Sequence, residues 1–272
     1  MKLSVAIAGR EATPNAFVVF RGLNESIKKA ADLGYDGVEL ALKRPDEITK
    51  DELKKLLEKN CMEVSAISSG QVWAARQLCF TDEDAEKRSE LKKTFCGFID
   101  LAEDFSHFVN IGRARGGVDE RGYAHCEQLF LDMAGELSEY AAKRDVTLIL
   151  EPVNRYEINF VNTLDDGTAL VRKVNHKNFA LMADVFHMNI EDAHMGEALE
   201  NNKEYIRYVH FGDTNRHAPG QGHMNWPEIF TSLKKIGYNG WTTVEILPYP
   251  DPDTAAKQAA DYIHSQFGSY YI

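Results

Sequence analysis
The chain has 272 residues, 44% of them hydrophobic, enough for one large α/β barrel or two small domains. Its 31 basic and 42 acidic residues leave a formal net charge of -11, a surface that repels phosphate backbones and anionic lipid heads. No stretch approaches the roughly 20 apolar residues of a membrane span, so nucleic-acid and membrane partners are not expected.

The first apolar run, residues 3–8, reads as a strand; Arg10 and Glu11 break it too early for the apolar core of a secretory signal. Residues 23–33 carry Leu23, Ile27, Ala30 and Ala31 at helical spacing, with Gly34 as the stop. A strand at 37–41 and a helix at 51–59, marked by Leu53, Leu56 and Leu57, follow. After the strand at 63–67 comes a long helix at 84–104, with Phe95, Ile99 and Ala102 on one face. The alternation continues through a strand at 108–111, a helix at 129–143, a strand at 147–151 and a helix at 165–174. Strands at 180–184, 208–211 and 242–245 alternate with a weakly marked helix near 196–199 and helices at 226–236 and 254–267.

Eight strands alternating with about eight helices, and no Pro/Ser-rich linker between them, predict a single (β/α)8 TIM barrel, one catalytic domain over residues 1–272. A doubly wound open sheet fits less well, because no G-x-G-x-x-G follows the first strand. Cys61, Cys79, Cys96 and Cys126 show no metal-binding spacing and read as free thiols in a reducing, cytoplasmic compartment.

Four motifs close the last four strands: Glu151-Pro152-Val153-Asn154-Arg155-Tyr156-Glu157, Asp184-Val185-Phe186-His187, His210-Phe211-Gly212-Asp213-Thr214-Asn215-Arg216, and Val244-Glu245. In a barrel these strand ends line the catalytic face. Glu151, Asp184, His210 and Glu245 would then converge on one mouth. Carboxylates gathered there repel one another unless a cation holds them. An oxygen-rich set with one imidazole favours a hard divalent ion, Mn2+ foremost, with Mg2+ or Co2+ beside it.

These motifs resemble those of the xylose-isomerase-like TIM-barrel superfamily, in its sugar isomerase and ketose 3-epimerase branch, over nearly the whole chain. The resemblance implies that Glu151, Asp184, His210 and Glu245 are metal ligands, and that Glu157, His187 and Arg216 touch substrate oxygens near C1 and C2. It implies that Glu151 and Glu245 double as proton carriers on either side of the reacting carbon, one ionised and one protonated as each turnover begins. It further implies assembly as a homo-oligomer, dimer or tetramer.

The chemistry follows from the residue types. Removing a proton beside a carbonyl leaves an enediolate whose charge needs a cation, and inversion at C3 needs two acid/base groups flanking one carbon. An aldose–ketose or hydroxypyruvate-type isomerase uses the same site and stays open as the alternative. After strand four, Arg113, Arg115 and Arg121 reverse the local sign of charge. Arg113 and Arg115 are therefore candidate contacts for a carboxylate or phosphate on a small-molecule sugar. Pairing with Asp119 and Glu120 is the competing reading. Gln71, Trp73 and His223 are candidates for the pocket rim. An apurinic-site endonuclease shares this fold but needs further histidines at the ends of strands three and four. Those ends read Ser68-Ser69-Gly70 and Gly112-Arg113. A non-catalytic sugar-binding barrel is the remaining rival.

Overall fold
The computed structural model describes residues 1–267, and in it eight parallel strands close into a barrel. The strands are β1 (Lys2–Ala8), β2 (Gly37–Ala41), β3 (Glu63–Ser68), β4 (Phe108–Ile111), β5 (Thr147–Leu150), β6 (Phe179–Asp184), β7 (Ile206–Phe211) and β8 (Trp241–Val244). They pair in sequence order, and β1 closes the ring on β8, with Val5 opposite Val244. A two-residue strand, Phe20–Arg21, pairs with the end of β1.

The eight principal helices cover the outside: α1 (Leu23–Asp32), α2 (Lys50–Asn60), α3 (Ala85–Phe105), α4 (Tyr123–Ala142), α5 (Leu164–Val174), α6 (Met195–Asn201), α7 (Trp226–Lys235) and α8 (Pro252–Phe267). Local signals explain several of their ends. Thr49 and Asp84 accept from backbone N–H groups in the first turns of α2 and α3, and Thr163 with Asp166 forms a capping box on α5. Helix α4 starts six residues before the predicted position. Its N-cap is Gly122, with no capping side chain to announce it, yet Cys126 in its first turns is buried. Two short helices, Gly70–Arg76 and Val185–Glu191, lie directly after β3 and β6, where the sequence pattern marked no helix.

Strand residues alternate between two interiors. Leu3, Val5, Ile7, Val38 and Leu40 join the apolar layer between sheet and helices. In that layer Phe80, Phe95, Phe98, Phe130, Phe160 and Phe179 meet edge-on or stacked. The other set faces the barrel axis and changes character with height. Phe108, Ile149, Ala180 and Trp241 cluster low in the barrel with Tyr208. The Tyr208 hydroxyl meets Glu39, Ser65 and Thr243, and Ser4 in turn meets Thr243. Above these polar residues stand the strand-end acids and His210. The barrel is therefore packed but not uniformly apolar. Among the described residues, no helix is long and apolar enough to cross a membrane.

Candidate active site
Glu151 follows β5, Asp184 closes β6, His210 is next to last in β7, and Glu245 follows β8. Parallel pairing places Asp184 opposite His210, and His210 opposite Thr243. The four site side chains meet as a result: one donor atom of each lies within 4.8 Å of the others. His210 Nδ1 stands 3.5 Å from Glu151 Oε1, 3.6 Å from Glu245 Oε2 and 3.7 Å from Asp184 Oδ2.

Those separations are too long for good hydrogen bonds, and Nδ1 is a buried atom without a hydrogen-bond partner. They match donors that each stand about 2.0–2.2 Å from one shared cation. Electrostatics agree. Burial alone would lower the His210 imidazole, but Glu39, Asp184 and Glu151 push it well above its ordinary value. The carboxylates thus favour positive charge among them, whether a proton or a metal ion supplies it. The donor set fits a divalent cation.

Neighbouring residues hold the acids in place. Burial raises the Asp184 carboxyl, but Arg216, His187 and His210 outweigh it and hold it well below the usual carboxylate range. Arg216 Nη1 donates to Asp184 Oδ2 at 2.7 Å, and its Nη2 donates to Glu245. Its guanidinium lies between the rings of Phe17 and Phe186, 4.9 and 4.6 Å from their centroids. Asn110 Nδ2 donates to Glu151 Oε2 at 3.0 Å. Burial also opposes ionisation of Glu151, yet the His210 imidazole beside it leaves its carboxyl lowered.

His187 and Glu157 sit at the edge of the cluster. Asn154 Nδ2 donates to His187 Nδ1 at 2.8 Å and to Glu157 Oε1 at 3.1 Å. With Nδ1 accepting, the His187 Nε2–H faces Asp184 and Glu151, 3.6 and 3.9 Å away. Burial, followed by the opposing effects of Asp184 and Arg216, leaves this imidazole lowered and therefore neutral. Arg155 pairs with Glu191 at 2.7 Å, which leaves Glu157 facing Arg113 at 3.5 Å.

A small cavity opens onto the cluster. Glu151, Glu157, His187, Glu245 and Arg113 line it, with Phe17 and Gln71. Gln71 is fixed by accepting from the Thr13 backbone at 2.9 Å. Trp73 is not part of this lining, and His223 is exposed, its backbone N–H donating to Thr214.

The expected arginine cluster does not form. Arg115 is fully buried and donates to the backbone carbonyls of Phe160, Gly112, Glu151 and Val161. It braces the loops after β4 and β5 and, fully buried, does not line the cavity, so its assignment as a substrate contact is corrected. Arg121 is chelated by Asp119, the competing reading from the sequence. Arg113 alone of the three faces the cavity.

Sequence reasoning missed Glu39, Asn110, Asn154 and Phe17. Glu39 did leave a signal: one charge inside the otherwise apolar strand Gly37–Ala41, where burial demands a partner.

Comparison with known proteins agrees with this fold. The family model described as xylose isomerase-like TIM barrel matches residues 27–266. The chain belongs to that family. Within it, relatives at about 30% identity include several ketose 3-epimerases and a 3-dehydro-D-guloside 4-epimerase of Escherichia coli. A D-psicose 3-epimerase of Agrobacterium fabrum is 29% identical over 80% of this chain and 77% of its own length. An L-ribulose 3-epimerase of Methylomonas sp. is 30% identical over 82% and 78%. The solved structure of a D-psicose 3-epimerase with D-tagatose, from Clostridium cellulolyticum H10, shares the fold. It is 23% identical, with a TM-score of 0.81 covering 97% of this chain and 99% of that one.

Proposed function
We propose that this chain is a divalent-metal-dependent epimerase of ketoses or keto sugars that inverts the carbon beside the ketone, C3, by proton transfer between Glu151 and Glu245. One observation carries the reading. Two carboxylates from β5 and β8 share a single small cavity and also belong to one cluster of metal-competent donors. The 3-epimerase names of relatives at about 30% identity support the same choice of reaction.

Glu151, Asp184, His210 and Glu245 would hold the ion, whose positive charge offsets the charge that grows on the substrate's oxygens when its carbon is deprotonated. Glu151 and Glu245 enter the cavity from different strands, so a carbon between them can lose its proton to one and regain it from the other. Because epimerisation runs in both directions, each must serve as base for one epimer and as acid for the other. The His187 Nε2–H supplies a donor to the carbonyl and hydroxyl oxygens, Glu157 accepts from a hydroxyl, and Arg216, bonded to Asp184 and Glu245, borders them from beneath the cavity. Phe17 offers an apolar surface to the sugar's C–H face. With Arg115 and Arg121 engaged elsewhere, an anionic end would meet only Arg113, which already faces Glu157. This favours a neutral sugar over a sugar acid or phosphate.

Proton–deuterium exchange in D2O tests the reading across neutral ketoses, keto acids and their phosphates, with and without Mn2+. The expected result is metal-dependent exchange at C3. Exchange confined to C1 and C2 would move the assignment to an aldose–ketose isomerase. Glu245→Gln should lower C3 exchange by at least about 100-fold, and a near-normal rate would end its role as a proton carrier.

A further inference from the structure
The mechanism leaves unused a chain of polar groups below the cluster, closed off from solvent. Glu39, in the middle of β2, is wholly buried. Its Oε2 is 2.8 Å from His210 Nε2 and also accepts from the Tyr208 hydroxyl at 2.8 Å. The same hydroxyl lies 2.7 Å from Ser65 Oγ and 2.5 Å from Thr243 Oγ1, and Thr243 Oγ1 lies 2.5 Å from Ser4 Oγ. Strands β1, β2, β3, β7 and β8 thus each contribute one polar residue. The group that touches the site is a carboxylate, the costliest one to bury.

We infer that Glu39 is a positioning residue for the metal site: it takes the Nε2–H of His210, turns Nδ1 toward the carboxylate cluster, and is itself held in place by Tyr208. This role rests on the proposal that the cluster holds a divalent ion. A histidine binds a cation through a ring nitrogen that carries no proton. For Nδ1 to do so, the remaining ring proton must sit on Nε2, where it needs an acceptor. The structure offers Glu39 Oε2 there. A carboxylate also makes the imidazole a stronger donor than a neutral acceptor would. Tyr208 matters because a free carboxylate in a barrel interior could rotate away from Nε2. Its hydroxyl donates to the same oxygen and is oriented by Ser65 and Thr243, which fixes that rotation. The ring of Tyr208 also packs edge-on against His210, with centroids 5.7 Å apart. An apolar barrel layer would pack as well; only ligand orientation requires a charge at this depth.

The test is direct titration of the metal-free protein with Mn2+ by calorimetry, alongside the visible spectrum of the Co2+-loaded protein. Glu39→Gln keeps the shape of the side chain and removes its charge. It should weaken Mn2+ binding by about 10- to 100-fold and shift the Co2+ bands of the protein that still binds. Tyr208→Phe should weaken binding several-fold, and in the Glu39→Gln background it should add little, because it acts through Glu39. A spectral shift separates ligand positioning from general loosening of the core, which would leave the bands of the bound fraction in place. Wild-type affinity and spectrum in Glu39→Gln would overturn the role. If that variant does not fold, Tyr208→Phe decides alone: unchanged affinity overturns the role, and weaker binding with shifted bands supports it. Failure of the wild-type chain to bind Mn2+ or Co2+ would overturn the metal reading and this role together.

Discussion

Arginines 113, 115 and 121 lie within nine positions of one another and do three different things. Arg121 chelates its neighbour Asp119, Arg113 faces the cavity, and Arg115 is sealed beneath the site among backbone carbonyls. Sequence shows that a guanidinium is present, but not which acceptors the fold will bring to it. Carbonyls of Phe160 and Val161, some 45 residues downstream, are invisible to any local pattern. Burial draws the Arg115 guanidinium down to about 10, still charged at neutral pH. Arg115→Leu should therefore destabilise the protein by about 3–5 kcal/mol, since it leaves several buried carbonyls without donors. Chemical denaturation measures that loss. The ratio of activities toward neutral and anionic sugars should stay the same, whereas Arg113→Leu should shift it. A large change in that ratio for Arg115→Leu would restore the substrate role withdrawn above.

At the scale of elements, the loop between β7 and α7 shows how one buried acid organises a segment. Asp213 accepts from the backbone N–H groups of Thr214, Gly220 and Met224 and from Trp226 Nε1 at 2.9 Å. Burial raises this carboxyl, but those donors together leave it lowered. Gly222 lies so close that a Cβ there would sit 2.1 Å from Asp213 Oδ1. Arg216 leaves this frame with φ at +60° and its N–H bonded to the Asp213 carbonyl, and only then reaches Asp184 and Glu245. Asp213→Ala should lower kcat/KM about 100-fold by misplacing Arg216, while the barrel strands keep their stability. Hydrogen exchange should show faster exchange at the amides of Gly220 and Met224 and no change in β5 to β8. Protection retained at those amides would contradict the account. The motif Gly212-Asp213-x-x-Arg216 was legible in the sequence, but the reason for its aspartate was not. Its bonds span 13 residues with no period. The early start of α4 and the helices Gly70–Arg76 and Val185–Glu191 escaped notice for a related reason: they are short or lack a capping signal, and burial rather than propensity holds them.

The whole barrel was easier to read than its parts, because each β/α unit repeats two strong signals: a short buried strand, then an amphipathic helix. Predicted and observed strands agree within two residues at either end, and the four motifs fell on the strand ends that the closed ring brings together. Apart from the lone charge of Glu39, the inward layer of Ser4, Ser65, Tyr208 and Thr243 was not legible, since hydroxyls in a strand resemble solvent-facing positions until closure turns them inward. The acidic surplus is the other whole-molecule property, and it has a local extreme. Asp192, partly buried at the end of helix Val185–Glu191, lies near Asp165, Asp166 and Glu191. Burial comes first, and despite a hydrogen bond from the Leu164 backbone those acids add to it, raising this carboxyl to about 6. Its folded value exceeds its unfolded one, so the fold prefers the protonated form. The stability it contributes is complete below about pH 4 and disappears as pH rises through about 6. At pH 8 the ionised group should cost about 1–2 kcal/mol once solvent screening is allowed for. The net charge of -11 also shifts stability with pH, but wild type and a single-site variant share nearly all of that effect, so their difference isolates Asp192. Asp192→Asn should therefore raise Tm by about 2–6 °C at pH 8 and by little at pH 4.5. A Tm difference that stayed constant between those pH values would show that Asp192 is ionised in the fold at both.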